Sequence, residues 1–345
     1  MIVRLINMKS NLLIKSNSKL FMLVFFTLLI AAACDSSRTN DAVVDGSSPN
    51  EQDPNITEGP QNESAGSTQG ETTTNGVDTS GAENDQHEVE LIEADYPKDP
   101  VEIAMTWNAS MVTIPNGDGG VISGNIGLLN SSTLTSEQKL PVALYLHGCS
   151  GFFNGDNFRM DWLARQGYAT IAPDSFARSF YPDSCNVSTR EAWLYKPTIE
   201  MRQNDAAYAL EQIRSFSWVD QDNVYIYGFS EGGLTAVTLN STNPLHRTKA
   251  RVVEGWNCIS IPWEEYTGIS SPDTEPLLTL FANQDPWLLG EHITDSCANF
   301  ISPTNGSQSV LIDYAPLNTQ HTLLEASEIQ EIVLNFLLQQ QSLRN

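Results

Sequence analysis

The chain has 345 residues and a formal net charge of −24, with 18 Lys and Arg against 42 Asp and Glu. That length allows one large domain or two ordinary ones, and with no basic patch the sequence speaks against nucleic acid as a partner. The acidic excess on its own predicts little more than a soluble surface.

Arg4, Lys9, Lys15 and Lys19 form a basic lead without an acidic residue, followed by an apolar run from Phe21 to Ala33 that stops at Cys34. Thirteen such residues fall short of the ~20 needed to span a bilayer. A basic lead, a short apolar core and small residues at its end read as a secretory signal over 1–33. Because the small residues stop at a cysteine, the run resembles a bacterial lipoprotein signal, although Ala31 stands where that family usually has leucine. The resemblance implies that Cys34 becomes the acylated first residue of an exported, membrane-anchored chain facing the periplasm or the cell surface. An ordinary cleaved signal with Cys34 as a bystander is the alternative. Asp35 follows directly, and in some Gram-negative lipoproteins an aspartate there favours retention at the inner membrane.

Residues 34–100 read as a disordered acidic tether rich in Ser, Thr and Gly. The stretch 35–86 contains no aromatic residue and so little apolar surface that ordering it would not be repaid by burial. The first 34 residues carry +4 and residues 35–100 carry −14, which leaves −14 for 101–345. Beyond Cys34 the cysteines are Cys149, Cys185, Cys258 and Cys297. An even count in an exported chain suggests disulfides, with three connectivities open at this point. No CxxC or Cys/His cluster occurs, so no metal site and no cofactor is expected.

Strand-like and helix-like segments follow. "MVTIP" and "VISGNIGLL" predict an antiparallel pair at a sheet edge. The continuous apolar run 141–147 ends in "GCSG", the mark of a buried parallel strand and a tight turn. Residues 156–167 have helical spacing with a glycine stop, and 168–174 form the next strand. A long helical pattern at 198–216 leads to a strand at 223–228 and a helix from Glu231 to about Leu239. Strands at 250–256, 276–282 and 309–314 and a helix at 326–341 complete the pattern. Such alternation implies βαβ units, hence one α/β domain over 101–345: a mostly parallel central sheet with helices on both faces.

Gly228, Phe229, Ser230, Glu231 and Gly232 fit G-x-S-x-G between a predicted strand and a predicted helix, the context in which that motif projects a nucleophilic serine. A serine hydroxyl needs a base, and five histidines are available. His87 lies in the tether, and His147 precedes the serine and reads as a structural member of its turn. His246 comes too early in the sheet order, and His292 is expected on a surface helix. His321, in the loop between the last strand and the last helix, is the expected base. Asp285, just after the penultimate strand, is the expected third member and gives the chain order Ser, Asp, His; Glu254 is the rival acid. The oxyanion hole is assigned to the backbone amides of Glu231 and of Cys149 in "HGCSG". The Glu231 carboxylate is expected to point away from the reacting centre, selection of a cationic substrate group being the alternative. Trp256, Trp287 and Tyr181 are read as core residues, with pocket lining as the alternative. Arg202 and Asp205, on one helix, are expected to pair or stay solvated.

With "LHGCSG", "APDSFARSF", "GFSEGG", "FANQDPW" and the late His321 in this order, residues 130–341 resemble the α/β-hydrolase superfamily, and within it dienelactone hydrolase-like proteins. The resemblance implies the α/β-hydrolase fold, the triad Ser230, Asp285 and His321, and the bridges Cys149–Cys185 and Cys258–Cys297. The namesake enzymes use a cysteine nucleophile where this chain has Ser230, so their lactone substrate does not carry over. The expected activity is that of a serine esterase acting on a small-molecule or polymeric ester. A peptidase or polyester depolymerase on the same triad, or a non-catalytic binding lipoprotein, are the alternatives.

Overall fold

The computed structural model describes residues 96–130, 134–180, 184–192, 195–260, 263–288 and 297–343. The signal, Cys34, the tether to residue 95, Tyr181 and His292 therefore lie outside the described residues. The strands are β1 (Met111–Pro115), β2 (Val121–Asn125), β3 (Leu140–Leu146), β4 (Ala169–Ala172), β5 (Cys185–Asn186), β6 (Glu191–Ala192), β7 (Val219–Phe229), β8 (Arg251–Glu254), β9 (Leu277–Ala282) and β10 (Gln308–Ile312). The helices are α1 (Pro100–Asn108), α2 (Asn154–Arg165), α3 (Pro197–Ser215), α4 (Glu231–Thr238) and α5 (Ser327–Ser342).

Eight strands form one sheet in the order β10-β9-β8-β7-β3-β4-β1-β2. The six strands from β10 to β4 pair in parallel, and β1 runs antiparallel to both β4 and β2. The expected edge pair is present, but β2 ends at Asn125, whose Oδ1 accepts the Gly127 N–H at 3.0 Å. That side-chain turn diverts residues 126–130 into a 3-10 helix where a continued strand was predicted. In the opposite direction, β7 starts four residues before its predicted limit, because pairing with β3 across an irregularity carries the polar stretch Asp220–Asp222 into the sheet.

Side chains alternate across the sheet as the pleat requires. Val142, Leu144, Leu146, Val224 and Ile226 face one apolar layer, which they share with residues of α3 and α4 such as Ile199, Leu210 and Leu234. Tyr145, Tyr225, Tyr227 and Phe229 face the other, against Met160 and Leu163 of α2 and Val333 and Phe336 of α5. Each such aliphatic or aromatic side chain contributes roughly 1.5–3 kcal/mol by leaving water, and the sheet between the two layers is thereby held rigid.

Helix α1 was not predicted. Asp99 caps it, accepting the N–H groups of Val101 and Glu102 at 2.8 and 3.0 Å, with Pro100 opening the first turn. Just ahead of it, within the segment the composition assigns to the tether, Tyr96 and Pro97 are buried and the Tyr96 hydroxyl donates to the Phe180 carbonyl at 2.8 Å.

Two disulfides form, Cys149–Cys185 and Cys258–Cys297, with Cα atoms 5.7 and 5.0 Å apart. The first ties the loop after β3 to the β5–β6 hairpin, and the second ties the loop after β8 to the segment beyond β9. Replacing Cys258 and Cys297 together by alanine is expected to lower the unfolding free energy by about 2–4 kcal/mol, since the bridge closes a long loop. Equilibrium urea unfolding of the oxidised protein and the variant measures this.

Candidate active site

Ser230 sits at the step from β7 to α4 with φ 55° and ψ −120°, a left-handed conformation costly for any residue with a Cβ. The sequence permits it by removing neighbouring side chains. A Cβ on Gly228 would lie 2.2 Å from the Gly232 carbonyl oxygen, and one on Gly232 would lie 2.0 Å from that of Leu146. No real side chain tolerates either distance, so the two glycines let the turn press against the end of β3. The Ser230 N–H donates to the Glu254 carbonyl at 2.8 Å, so the turn is also fixed to the end of β8.

His321 and Asp285 reach this serine from loops after β10 and β9. His321 Nε2 lies 2.9 Å from Ser230 Oγ, and His321 Nδ1 lies 2.7 Å from Asp285 Oδ2. A carboxylate can only accept, so Nδ1–H donates to Asp285 and Nε2 is left to accept the Ser230 hydroxyl. Asp285 is fully buried, and its other oxygen accepts the Trp287 N–H at 2.9 Å. The two loops are joined directly: Gln284 N–H donates to the Asn318 carbonyl at 2.8 Å. The rings of Phe229 and Trp287 flank the imidazole, with centroids 5.0 and 5.7 Å away.

Glu254, the rival acid, is occupied elsewhere. Its buried carboxylate receives Arg159 Nε and Nη2 at 2.8 and 2.7 Å, the Tyr227 hydroxyl at 2.7 Å, and the backbone N–H groups of Leu323 and Leu324 at 2.5 and 3.0 Å. Those two amides lie two and three residues after His321, so Glu254 anchors the histidine loop without touching the histidine. Burial alone would raise its carboxyl pKa; the Arg159 guanidinium, Tyr227 and the Leu323 amide together hold it below the ordinary value. Arg159 also stacks on the Phe229 ring, 4.0 Å from its centroid.

On the opposite side of Ser230, Glu231 begins α4 and is almost fully buried. Its carboxylate accepts Arg202 Nη1 at 2.7 Å and the Ser184 hydroxyl. Arg202 and Asp205 therefore do not pair with each other: Asp205 is bonded to Arg178, and all four side chains are buried. Helical spacing suggested a local pair, but the partners come from other elements. His147 is fully buried, with Nε2 accepting the Ser175 N–H at 3.2 Å, which leaves Nδ1–H to donate to the Gly148 carbonyl at 2.7 Å. Burial, and secondarily the charge of Arg202, push its pKa down to about 3, so it is neutral and structural. His246 bonds Glu211 and Ser241, away from Ser230.

A cleft of about 380 Å³, counting its open mouth, lies over Ser230. Among the described residues it is lined by Cys149, Ala192, Ser230, Glu231, Gly255, Trp256, Trp287, Leu288 and His321. Cys149 and Glu231 thus stand beside the serine, and the Glu231 amide, first in its helix, has no carbonyl one turn back to bond. Trp256 is buried yet also lines the cleft, as does Trp287, so the two tryptophans combine the core and pocket roles. The sequence reading missed Arg159, Tyr227, Ser184 and the pairing of Arg202, because none belongs to a local pattern around Ser230.

A model of the dienelactone hydrolase family matches residues 130–302. Among solved structures, the chain is similar to a dienelactone hydrolase from Anabaena variabilis, at 15% identity over 67% of this chain and 90% of that one, TM-score 0.43. It is also similar to a dienelactone hydrolase-like promiscuous phosphotriesterase from metagenomic libraries, at 16% identity over 67% and 98%, TM-score 0.42. An acetyl xylan esterase from Paenibacillus sp. R4 matches at 17% identity over 58% and 74%, TM-score 0.39. At such identities the substrates of these neighbours are theirs alone. A comparison with curated proteins gives no match.

Because the Glu254 pKa is lower in the folded than in the unfolded protein, the unfolded chain takes up the proton first as pH falls. The stabilisation from Glu254 is complete above the ordinary carboxylate range and is lost as pH falls through the depressed value. Glu254→Gln is expected to remove this part of the acid dependence and to cost about 3–5 kcal/mol at neutral pH, by leaving Arg159 buried without its counter-charge. Urea unfolding of both proteins across the acid range tests it.

Proposed function

The chain belongs to the dienelactone hydrolase family, and from that premise we propose that it is a serine carboxylic-ester hydrolase, exported and anchored to a membrane through lipidated Cys34. One observation carries the reading: an unbroken line of hydrogen bonds from Ser230 Oγ to His321 Nε2 and from His321 Nδ1 to Asp285 Oδ2, opening into a cleft.

In the first half-reaction His321 Nε2 takes the hydroxyl proton as Ser230 Oγ attacks the ester carbonyl. The oxyanion that forms is met by the amides of Glu231 and Cys149, donors already in place before the charge develops. Imidazolium forms against the buried Asp285 carboxylate, which fixes the ring so that Nε2 faces the reaction. The Nε2 proton then passes to the departing alkoxide and leaves an acyl group on Ser230. Water enters, gives its proton to His321 and attacks the acyl carbonyl; collapse of that second tetrahedral adduct returns the proton to Ser230 and releases the acid. Every step uses groups of this chain and of the substrate, and none calls for a cofactor.

The lipid anchor is supported by the sequence alone, through the basic lead, the short apolar run and Cys34 at its end. An acidic tether between anchor and domain would let the cleft reach substrates away from the membrane surface.

With p-nitrophenyl acetate as substrate, Ser230→Ala is expected to lower kcat by at least about 10⁴-fold, and Asp285→Asn by about 10³- to 10⁴-fold with the fold retained. Steady-state kinetics on folded, oxidised protein decides. An Asp285→Asn variant with near wild-type kcat would remove that residue from the triad.

A further inference from the structure

Glu231 poses a problem for the chemistry just described. Its amide faces the developing oxyanion, yet its own side chain is a buried carboxylate next to the same centre. An uncompensated negative charge there would oppose the reaction. Arg202, 1% exposed, supplies the counter-charge and does more than neutralise. While Nη1 holds Glu231 at 2.7 Å, the same nitrogen lies 3.3 Å from the Gly148 carbonyl, and Nη2 donates to the His147 carbonyl. The Gly148 carbonyl and the Cys149 N–H belong to one planar trans peptide, so fixing the oxygen fixes the direction of the N–H. That carbonyl is held a second time by His147 Nδ1–H. From the other side, the Ser184 hydroxyl ties Glu231 to the residue beside Cys185, which is bonded to Cys149.

We propose that the buried Arg202–Glu231 pair is the positioning device of the oxyanion hole, aiming the Cys149 amide from one end and the Glu231 amide from the other. The proposal rests on the serine-esterase reading above. Arg202 acts through the backbone carbonyls it holds and Glu231 through Arg202 and Ser184, and neither side chain touches the substrate in this role. The charge balance of the pair also lets a negative oxyanion form beside a carboxylate.

Kinetics of the full-length protein on p-nitrophenyl acetate test this. Arg202→Met is expected to lower kcat by about 10²-fold, the loss typical of an oxyanion donor, with KM within about threefold, because the interaction is made in the transition state. Inhibition by phenylboronic acid, whose serine adduct is tetrahedral, should weaken in step with kcat/KM. Adding Glu231→Gln to Arg202→Met is expected to recover about tenfold, because the unpaired carboxylate is gone, a sign of coupling that simple loss of packing does not produce. Arg202→Lys keeps the buried charges balanced but loses the forked contact with the two carbonyls. It is expected to fold and to lose about tenfold in kcat, and it carries the test if Arg202→Met does not fold. Wild-type kcat in Arg202→Lys, or no recovery in the double variant, overturns the positioning role while leaving the esterase reading intact. A wild-type protein inactive on esters and inert to fluorophosphonate overturns the esterase reading itself.

Discussion

The site depends on one crowded turn. Between β7 and α4 the backbone passes so close to the end of β3 that a methyl group on Gly232 would lie 2.0 Å from the Leu146 carbonyl oxygen. The crowding is what holds Ser230 at positive φ, because no relaxed path connects strand to helix in that space. Turning the serine out of the sheet places its Oγ above the strand ends. There the loops after β8, β9 and β10 converge, and a parallel sheet delivers them to the same edge.

Two buried arginine–carboxylate pairs flank that turn and share out its surroundings. Arg159 and Glu254 hold the histidine side, through the Leu323 and Leu324 amides and the stack of Arg159 on Phe229. Arg202 and Glu231 hold the side where the oxyanion hole is proposed, through the carbonyls of His147 and Gly148. Burying four charges is expensive, and well-packed apolar residues would often stabilise a fold as well or better. What apolar residues do not supply is direction. Each pair here fixes the orientation of backbone groups in a neighbouring loop, and orientation is what the proposed chemistry needs.

The parts legible in the sequence are those written locally. G-x-S-x-G announced its turn, strand–helix alternation announced the sheet, and the order of Asp285 and His321 after the serine followed from the strand count. The bridges Cys149–Cys185 and Cys258–Cys297 followed from resemblance, since four cysteines alone leave three pairings open. Pairings across the fold were not legible. Arg159 meets Glu254 across 95 positions and Arg202 meets Glu231 across 29, and nothing near either residue marks its partner. Helical spacing pointed instead to Arg202 with Asp205, and tertiary packing overrode it. The extra residues of β7 were hidden because only Val219 pairs with β3 there, and the polar residues Asp220, Gln221 and Asp222 fill the irregular stretch between that pair and Val224. Helix α1, by contrast, carried a readable start in Asp99 and Pro100 that went unused.

The central claim is that Ser230 is an activated nucleophile, and the most direct measurement requires no choice of substrate. Full-length, oxidised protein is treated with a fluorophosphonate, its intact mass is recorded, and the modified peptide is mapped by mass spectrometry. A single stoichiometric adduct on Ser230 is the predicted result. A folded protein that takes up no label, or takes it up on another residue, would contradict the account.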